Sequence, residues 1–233
     1  VAASQSETLR LFTALHLYQR SWAGKLLLGI GLNDTGRSFA LASLIAGAAL
    51  LVLEEDAVAL RDATREGCAT FTVTSLDEAL RALKNEIRQG RAITVALGGS
   101  SERWLAEMTE RGILPQALAS TRDLSETETS SVATLQHWGA LRFEGLGLLK
   151  TGEVDLAKLV GELEGNWRII NDTAATHTER RERDTSLLDA TTADHQVVTP
   201  IQQHWLRAVP TLFPRSVTRA YWSISPDVPP SAR

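Results

Sequence analysis

The sequence has a single cysteine, Cys68, so it allows no intrachain disulfide and no multi-cysteine metal cage, and a reducing compartment, the cytoplasm, is expected. It also lacks an excess of either charge. The 24 basic and 28 acidic residues are spread along the chain and leave a net charge of -4, which gives no electrostatic footprint for a phosphate backbone. Nucleic acid is not an expected partner. No apolar run is long enough to cross a bilayer: the most apolar stretch, Phe39 to Leu53, falls short of the roughly 20 residues needed and is bounded by Arg37 and Glu54. It reads as a helix followed by a buried strand, and no membrane contact is expected. The opening Val1-Ala2-Ala3-Ser4 has no basic region leading into an apolar core, so it does not read as a secretion signal.

What is present is an ordinary globular composition. With 43% hydrophobic and 22% charged residues over 233 positions, the chain is apolar enough to fold around one substantial core with a smaller appendage. Leu11, Phe12, Leu15 and Tyr18 recur at helical spacing and predict an amphipathic helix from Leu9 to Tyr18. Lys25 to Ile30 reads as a strand leading into a glycine turn and a helix that ends near Gly47. The alternation continues through strands at Ala49 to Leu53, Ala69 to Val73 and Ala92 to Leu97, with helices at Asp56 to Gly67, Ser75 to Gln89 and Ser101 to Arg111. Ser75 and Glu78 carry a capping-box signature. Gln116 to Ala119 and Ala140 to Phe143 are two further short strands.

Strands separated by helices of this length imply parallel crossover units, because a parallel neighbour is reached only by a long return across the sheet. The expected fold is therefore α/β, a doubly wound, mainly parallel sheet of Rossmann-like type with an appended helical C-terminal segment. The division falls between residues 1–149 and 150–233. Beyond it, Glu153 to Glu164 looks helical, Asp172 to Leu188 is highly polar, and Pro200 to Arg233 holds six of the seven prolines. This part reads as a helical extension and a C-terminal arm that packs on the domain, or on a second subunit as a homodimer, through Trp205, Phe213, Tyr221 and Trp222. In a doubly wound sheet the ligand crevice lies beyond the carboxyl ends of the strands, so the loops after Ile30, Leu53, Leu97 and Ala119 converge on it.

A dinucleotide site needs a tight turn after the first strand and a helix N-terminus whose free amides face the pyrophosphate. Gly31-Leu32-Asn33-Asp34-Thr35-Gly36 supplies the first and third glycines of G-x-G-x-x-G, with Asn33 in the place of the second. The Asn33 side chain occupies space that a pyrophosphate needs, and Asp34 puts a repelling charge at the same helix start. Arg37 is a candidate phosphate clamp or a solvated first-turn residue. Glu54 lies 23 residues after Gly31, near the spacing expected for an acidic residue on an adenosine ribose; equally, Glu54, Glu55 and Asp56 begin a helix. Gly98-Gly99-Ser100-Ser101 is an anion-binding turn at a helix start, or only a turn and cap.

The stretch from Lys25 to Ala42, KLLLGIGLNDTGRSFALA, resembles the glycine-rich segment of the urocanate hydratase (urocanase) family, with Gly31, Leu32, Gly36, Leu41 and Ala42 in register. Ala46-Gly47, Leu51 to Asp56 and Leu76-Asp77-Glu78-Ala79-Leu80 are similar to later segments of that family, in the same order. So are Leu97 to Glu102, Arg111-Gly112-Ile113-Leu114-Pro115 and Leu135 to Phe143. The resemblance covers approximately Leu9 to Leu149 and implies an NAD-binding domain from histidine degradation, whose tightly bound NAD acts as an electrophile in a hydro-lyase reaction. This chain departs from that plan: Asn33-Asp34-Thr35 replaces the glycine-rich turn, Gly99 stands where the family has an asparagine, and Ala119-Ser120-Thr121-Arg122-Asp123 lacks the family's histidine. The family's segments flanking this domain, with their functional cysteine, have no counterpart, and Cys68 reads as a small buried hydrophobe away from the crevice.

Other chemistry is poorly supported. Neither Tyr18 nor Tyr221 has a lysine four residues later, as a short-chain dehydrogenase requires, and the sequence contains neither a G-x-S-x-G elbow nor a G-x-x-x-x-G-K-[ST] loop. His177, His195 and His204 with Asp172, Asp184, Asp189 and Asp194 match no familiar metal-ligand spacing, so no metal is expected. Glu179-Arg180-Arg181-Glu182-Arg183-Asp184 mixes signs at helical spacing and predicts exposed ion pairs. Three readings stand: a diverged urocanase-like protein that binds NAD with lyase activity reduced or lost; a non-catalytic interaction or oligomerisation protein on a Rossmann-like framework; and an S-adenosylmethionine-type site. The candidate ligand contacts are Gly31, Asn33, Gly36, Arg37, Glu54, Gly98, Gly99 and Ser100.

Overall fold

The computed structural model describes residues 3–148, 152–192 and 198–224. It opens with helix α1 (Gln5–Tyr18), capped by Ser4, whose hydroxyl accepts from the Glu7 amide. Strand β1 (Leu26–Ile30), helix α2 (Asp34–Ala46), strand β2 (Ala49–Glu54) and helix α3 (Ala57–Arg65) follow. They lead to a short strand β3 (Phe71–Val73), helix α4 (Leu76–Gln89), β4 (Ile93–Gly98), α5 (Ser101–Glu110), β5 (Ala117–Ser120), α6 (Glu126–His137) and β6 (Leu141–Glu144). The alternation read from the sequence is present throughout. At α4, Ser75 Oγ accepts from the Glu78 amide, whereas the reciprocal capping box forms at α6 between Ser125 and Glu128.

The sheet has seven strands in the order β3-β4-β2-β1-β5-β6-β7, and every pairing is parallel. Its last strand, β7 (Val154–Asp155), lies beyond residue 150, in a region the sequence predicted to be a poor continuation of the sheet. Two residues are too few to show a period in the sequence. The chain moves from β1 outward to β2 on one side and later crosses to β5 on the other, so β1 and β5 are neighbours at the switch point. Runs such as Ala-Leu-Leu-Val-Leu in β2 are buried on both faces, as a sheet covered by helices on both sides requires. One face packs Leu28, Ile30, Leu51 and Leu53 against Leu83, Trp104 and Leu135 of α4, α5 and α6. The other packs Leu27, Leu50 and Val52 beneath α1 and α2.

The C-terminal part holds helix α7 (Leu156–Glu164), strand β8 (Trp167–Thr173), helices α8 (His177–Thr192) and α9 (Val198–Leu212), and strand β9 (Thr218–Ile224). β8 and β9 form an antiparallel ladder from Trp167↔Ile224 to Thr173↔Thr218, a second sheet that helical patterning did not disclose. Trp205 and Trp222 are buried in the same core cluster as α1 and α2. Trp205 Nε1 donates to the Ala220 carbonyl and Trp222 Nε1 to the Thr13 hydroxyl. Gln5 of α1 reaches Thr218 and Ala220. Helix α1 is thus held between the main sheet and the second one, which explains why Leu9, Leu11, Phe12 and Leu15 are all fully buried.

The run Glu179 to Asp184 differs from its expectation of exposed ion pairs. Arg180 is only 1% exposed and Asp184 is 9% exposed, because β9 brings Arg219 over this stretch of α8. Cys68 is buried, as expected, and burial, with the Glu66 charge nearby, pushes its thiol up to about 12. Among the described residues, no helix is long and apolar enough to cross a membrane.

Candidate functional site

The four loops beyond the carboxyl ends of β1, β2, β4 and β5 meet as the strand order requires. Gly31 has a φ of 94°, and a Cβ there would lie 2.6 Å from Thr121 Oγ1. At Gly36 a Cβ would lie 2.2 Å from the Gly31 carbonyl oxygen. Only glycine fits either place, so the tight turn and close helix approach of a dinucleotide fold are intact.

The groups that would meet a pyrophosphate are already engaged by the protein itself. Asn33 is the N-cap of α2: its Oδ1 accepts from the Gly36 amide at 3.0 Å, while its Nδ2 donates to the Thr121 carbonyl at 2.8 Å. The carboxamide therefore stands where an anion's oxygen would stand, and it also stitches β1 to β5 across the switch point. Glu54 folds back over the turn, accepting from the Leu32 amide at 2.6 Å and from the Glu55 and Asp56 amides at 2.8 Å each. Three backbone bonds hold the carboxylate that the sequence offered to a ribose. Thr35 donates its hydroxyl to Glu7, and Asp34 pairs with Arg37, so the helix start faces two carboxylates. Arg37 is not solvated: it is largely buried and lies between Asp34 at 2.9 Å and Glu66 at 3.7 Å.

The second glycine turn is answered in the same way. Gly99, with φ 111°, packs against the Trp104 ring, whose Nε1 donates to the Gly98 carbonyl. Ser100 caps α5, and the anion at this helix start is the Glu55 carboxylate, which accepts from both the amide and the hydroxyl of Ser101.

Arg122 and Glu128 were not among the residues singled out from the sequence. Arg122 donates through Nη1 and Nη2 to both oxygens of Glu128 and through Nη2 to Ser101 Oγ, so one guanidinium joins β5, α5 and α6 above the crevice. Burial alone would raise the Glu128 pKa, but bonds from Arg122, the Ser125 amide and Ser101 outweigh it and hold the carboxyl at about 2. Arg122 is held above its ordinary value, chiefly by the Glu128 hydrogen bonds. The signal was available: a charged residue just past β5 and a glutamate at the third position of a capped helix both face converging loops.

A pH prediction follows. Because the folded pKa of Glu128 lies below its unfolded value of about 4.3, its contribution is present above that value and is lost as pH falls toward 2. Urea unfolding of the wild type should lose about 2 kcal/mol relative to Glu128→Gln between roughly pH 5 and pH 2, after allowing for water at Arg122. Parallel pH dependences for the two proteins would remove Glu128 as an anchor.

Among the described residues, no three histidine, cysteine, aspartate or glutamate side chains gather as a metal set. His204 lies edge-on to Phe12 with ring centroids 5.2 Å apart, and burial lowers its pKa. His195 and Asp194 lie outside the described residues.

An all-parallel, doubly wound sheet with a glycine turn at the β1/β5 switch point defines a Rossmann-like α/β protein. A family model described as Urocanase Rossmann-like domain matches residues 5–125, over half of the chain. The chain belongs to that family. Among solved structures, a short chain alcohol dehydrogenase from E. coli CFT073 complexed with NADH is similar at 11% identity and a TM-score of 0.37. The likeness covers 68% of this chain, which spans only 40% of the other protein's length, and it carries no argument about ligand or activity.

Proposed function

We propose that this protein is a non-catalytic member of the urocanase Rossmann-like family, an interaction or oligomerisation scaffold whose nucleotide crevice is closed by its own side chains. The observation that carries this reading is the double engagement of the glycine turn, with Asn33 Oδ1 on the Gly36 amide and Glu54 on the Leu32 amide. A dinucleotide would have to break both contacts and bring its phosphates beside Asp34 and Glu7. Like charges oppose that, since Arg37, the cation beside Asp34, is already shared with Glu66. Surface for association exists at the open edge of the sheet, where Phe71 is 51% exposed and Val58 of the adjoining α3 is 52% exposed.

Titration calorimetry on the folded protein with NAD, adenosine and S-adenosylmethionine tests the proposal. The expected result is no saturable heat with any of them. A Kd at or below about 1 mM for one of these ligands would overturn it.

A second reading keeps NAD as a ligand with lyase activity reduced, and it is supported by Gly31 and Gly36, which preserve the close approach a pyrophosphate needs. On that reading Glu54 releases the Leu32 amide for the ribose. Glu54→Ala then weakens NAD by about 1.5 to 3 kcal/mol in the same calorimeter.

A further inference from the structure

A second cleft shares no residue with the crevice. It lies between α8, α9 and β9, has a volume of about 590 Å³, and is walled by His177, Arg180, Arg181 and Arg219 with Asp184 among them. Three arginines and a histidine, from α8 and β9, thus line the cleft with a single carboxylate.

The hydrogen bonds within the cluster show where acceptors run short. Arg180, 1% exposed, donates through Nε to Asp184 Oδ1 at 2.8 Å and through Nη1 to the carboxylate and carbonyl of Asp172. Its Nη2 is buried and has no acceptor among the described residues. Arg219, 4% exposed, donates through Nε to the other oxygen of the same Asp184 at 3.1 Å and through Nη1 to the Ser216 and Thr218 carbonyls. Asp172 is shared in turn with Arg183. The two buried guanidinium groups therefore share Asp184, and Arg180 has Asp172 besides. Burial lowers the Arg219 pKa and the Arg180 charge lowers it further, against the opposing pull of Asp184. A buried guanidinium short of acceptors is costly, and an anion entering along the Arg180 wall relieves that cost.

The rest of the lining limits what the anion can be. Leu206 and Pro210 of α9 face the same cleft and have nothing to offer a fully hydrated ion. Ligand clefts that join an apolar wall to a few convergent polar groups take organic molecules with one polar end. We propose that this cleft binds a small organic acid. Its carboxylate is received by the guanidinium groups of Arg180 and Arg181 and by His177, and its apolar body lies against Leu206 and Pro210. A guanidinium presents paired N–H donors that match the two oxygens of a carboxylate, which a neutral group cannot replace.

The test uses the full chain with 3-phenylpropionate, its neutral amide 3-phenylpropanamide, and inorganic phosphate, each titrated by calorimetry. Saturable binding of the acid is expected, with the amide weaker by about tenfold or more. Arg181→Ala, at an exposed position, should weaken the acid about tenfold without moving the unfolding midpoint, so it reports on binding even if Arg180→Gln fails to fold. Equal affinity for acid and amide would overturn the proposal, as would no saturation by the acid up to about 10 mM. Phosphate binding as tight as the acid would also overturn it, since the apolar wall would then play no part.

Discussion

Asp184→Ala is expected to destabilise the protein by about 3 to 5 kcal/mol, a large share of the stability of an ordinary domain. The substitution removes the Nε partner of Arg180 and of Arg219 together, and both guanidinium groups are nearly closed to water. Breaking a buried pair costs more than the pair contributes, because the remaining charge stays desolvated with nothing opposite it. Here two guanidinium groups lose a partner instead of one. Arg180 keeps Asp172, which sets the upper end of the range, and among the described residues Arg219 keeps only backbone carbonyls. Urea unfolding at neutral pH measures the loss. A change under about 1 kcal/mol would mean that water reaches the cluster, and the cleft would then lose its character as a charged buried wall.

The contrast with the crevice is informative. At the strand ends, carboxylates and a carboxamide supply what the helix starts need: Asn33 at α2, Glu55 at α5 and Glu128 at α6. On the proposed reading, these groups of the protein take the places where a cofactor's phosphates would sit. In the cluster beside the cleft of α8 and α9, Arg180, Arg183 and Arg219 share Asp172, Glu179 and Asp184, and Arg180 Nη2 is left without an acceptor among the described residues. On the two proposals made above, the region suited to an anion by sequence is closed by the protein's own groups, and the cleft offered to an anion lies in a segment the sequence presented as solvated.

That difference marks what the sequence disclosed. Alternating strands and helices with their caps are local features, so β1 through β6 and the helix starts at Ser75 and Ser100 follow from neighbouring residues. Pairing over long separations is not local. Trp167 finds Ile224 across two helices, and the burial of Arg180 depends on Arg219, 39 residues further on. The order β3-β4-β2 is hidden for the same reason, since β3 goes to the edge and β4 returns beside β2. At the crevice, the sequence showed that Asn33 displaces a glycine and that Glu54 is suitably spaced. It did not show that Glu54 would turn back onto Leu32, because a carboxylate with free amides one and two residues ahead has a local partner that competes with any ligand.

Trp222→Ala is expected to cost about 3 to 5 kcal/mol and to shift the unfolding of the whole chain. The side chain is 1% exposed, its indole N–H meets Thr13 of α1, and its backbone exchanges two hydrogen bonds with Gln202 of α9. Removing it opens a cavity where α1, α9 and β9 converge, and α1 also packs on α2, the helix that covers β1 and β2. The proposed boundary near residue 149 then separates two parts in sequence but not in stability, because α1 serves the cores of both. Trp222→Phe keeps most of the buried volume while losing the N–H, and should cost about 1 to 2 kcal/mol. Following unfolding by far-ultraviolet circular dichroism and tryptophan fluorescence distinguishes the cases: one coincident transition, displaced in Trp222→Ala, is the expected result. Two transitions, with the one for the parallel sheet unmoved by the substitution, would show instead that β8, β9 and their helices fold as an independent unit.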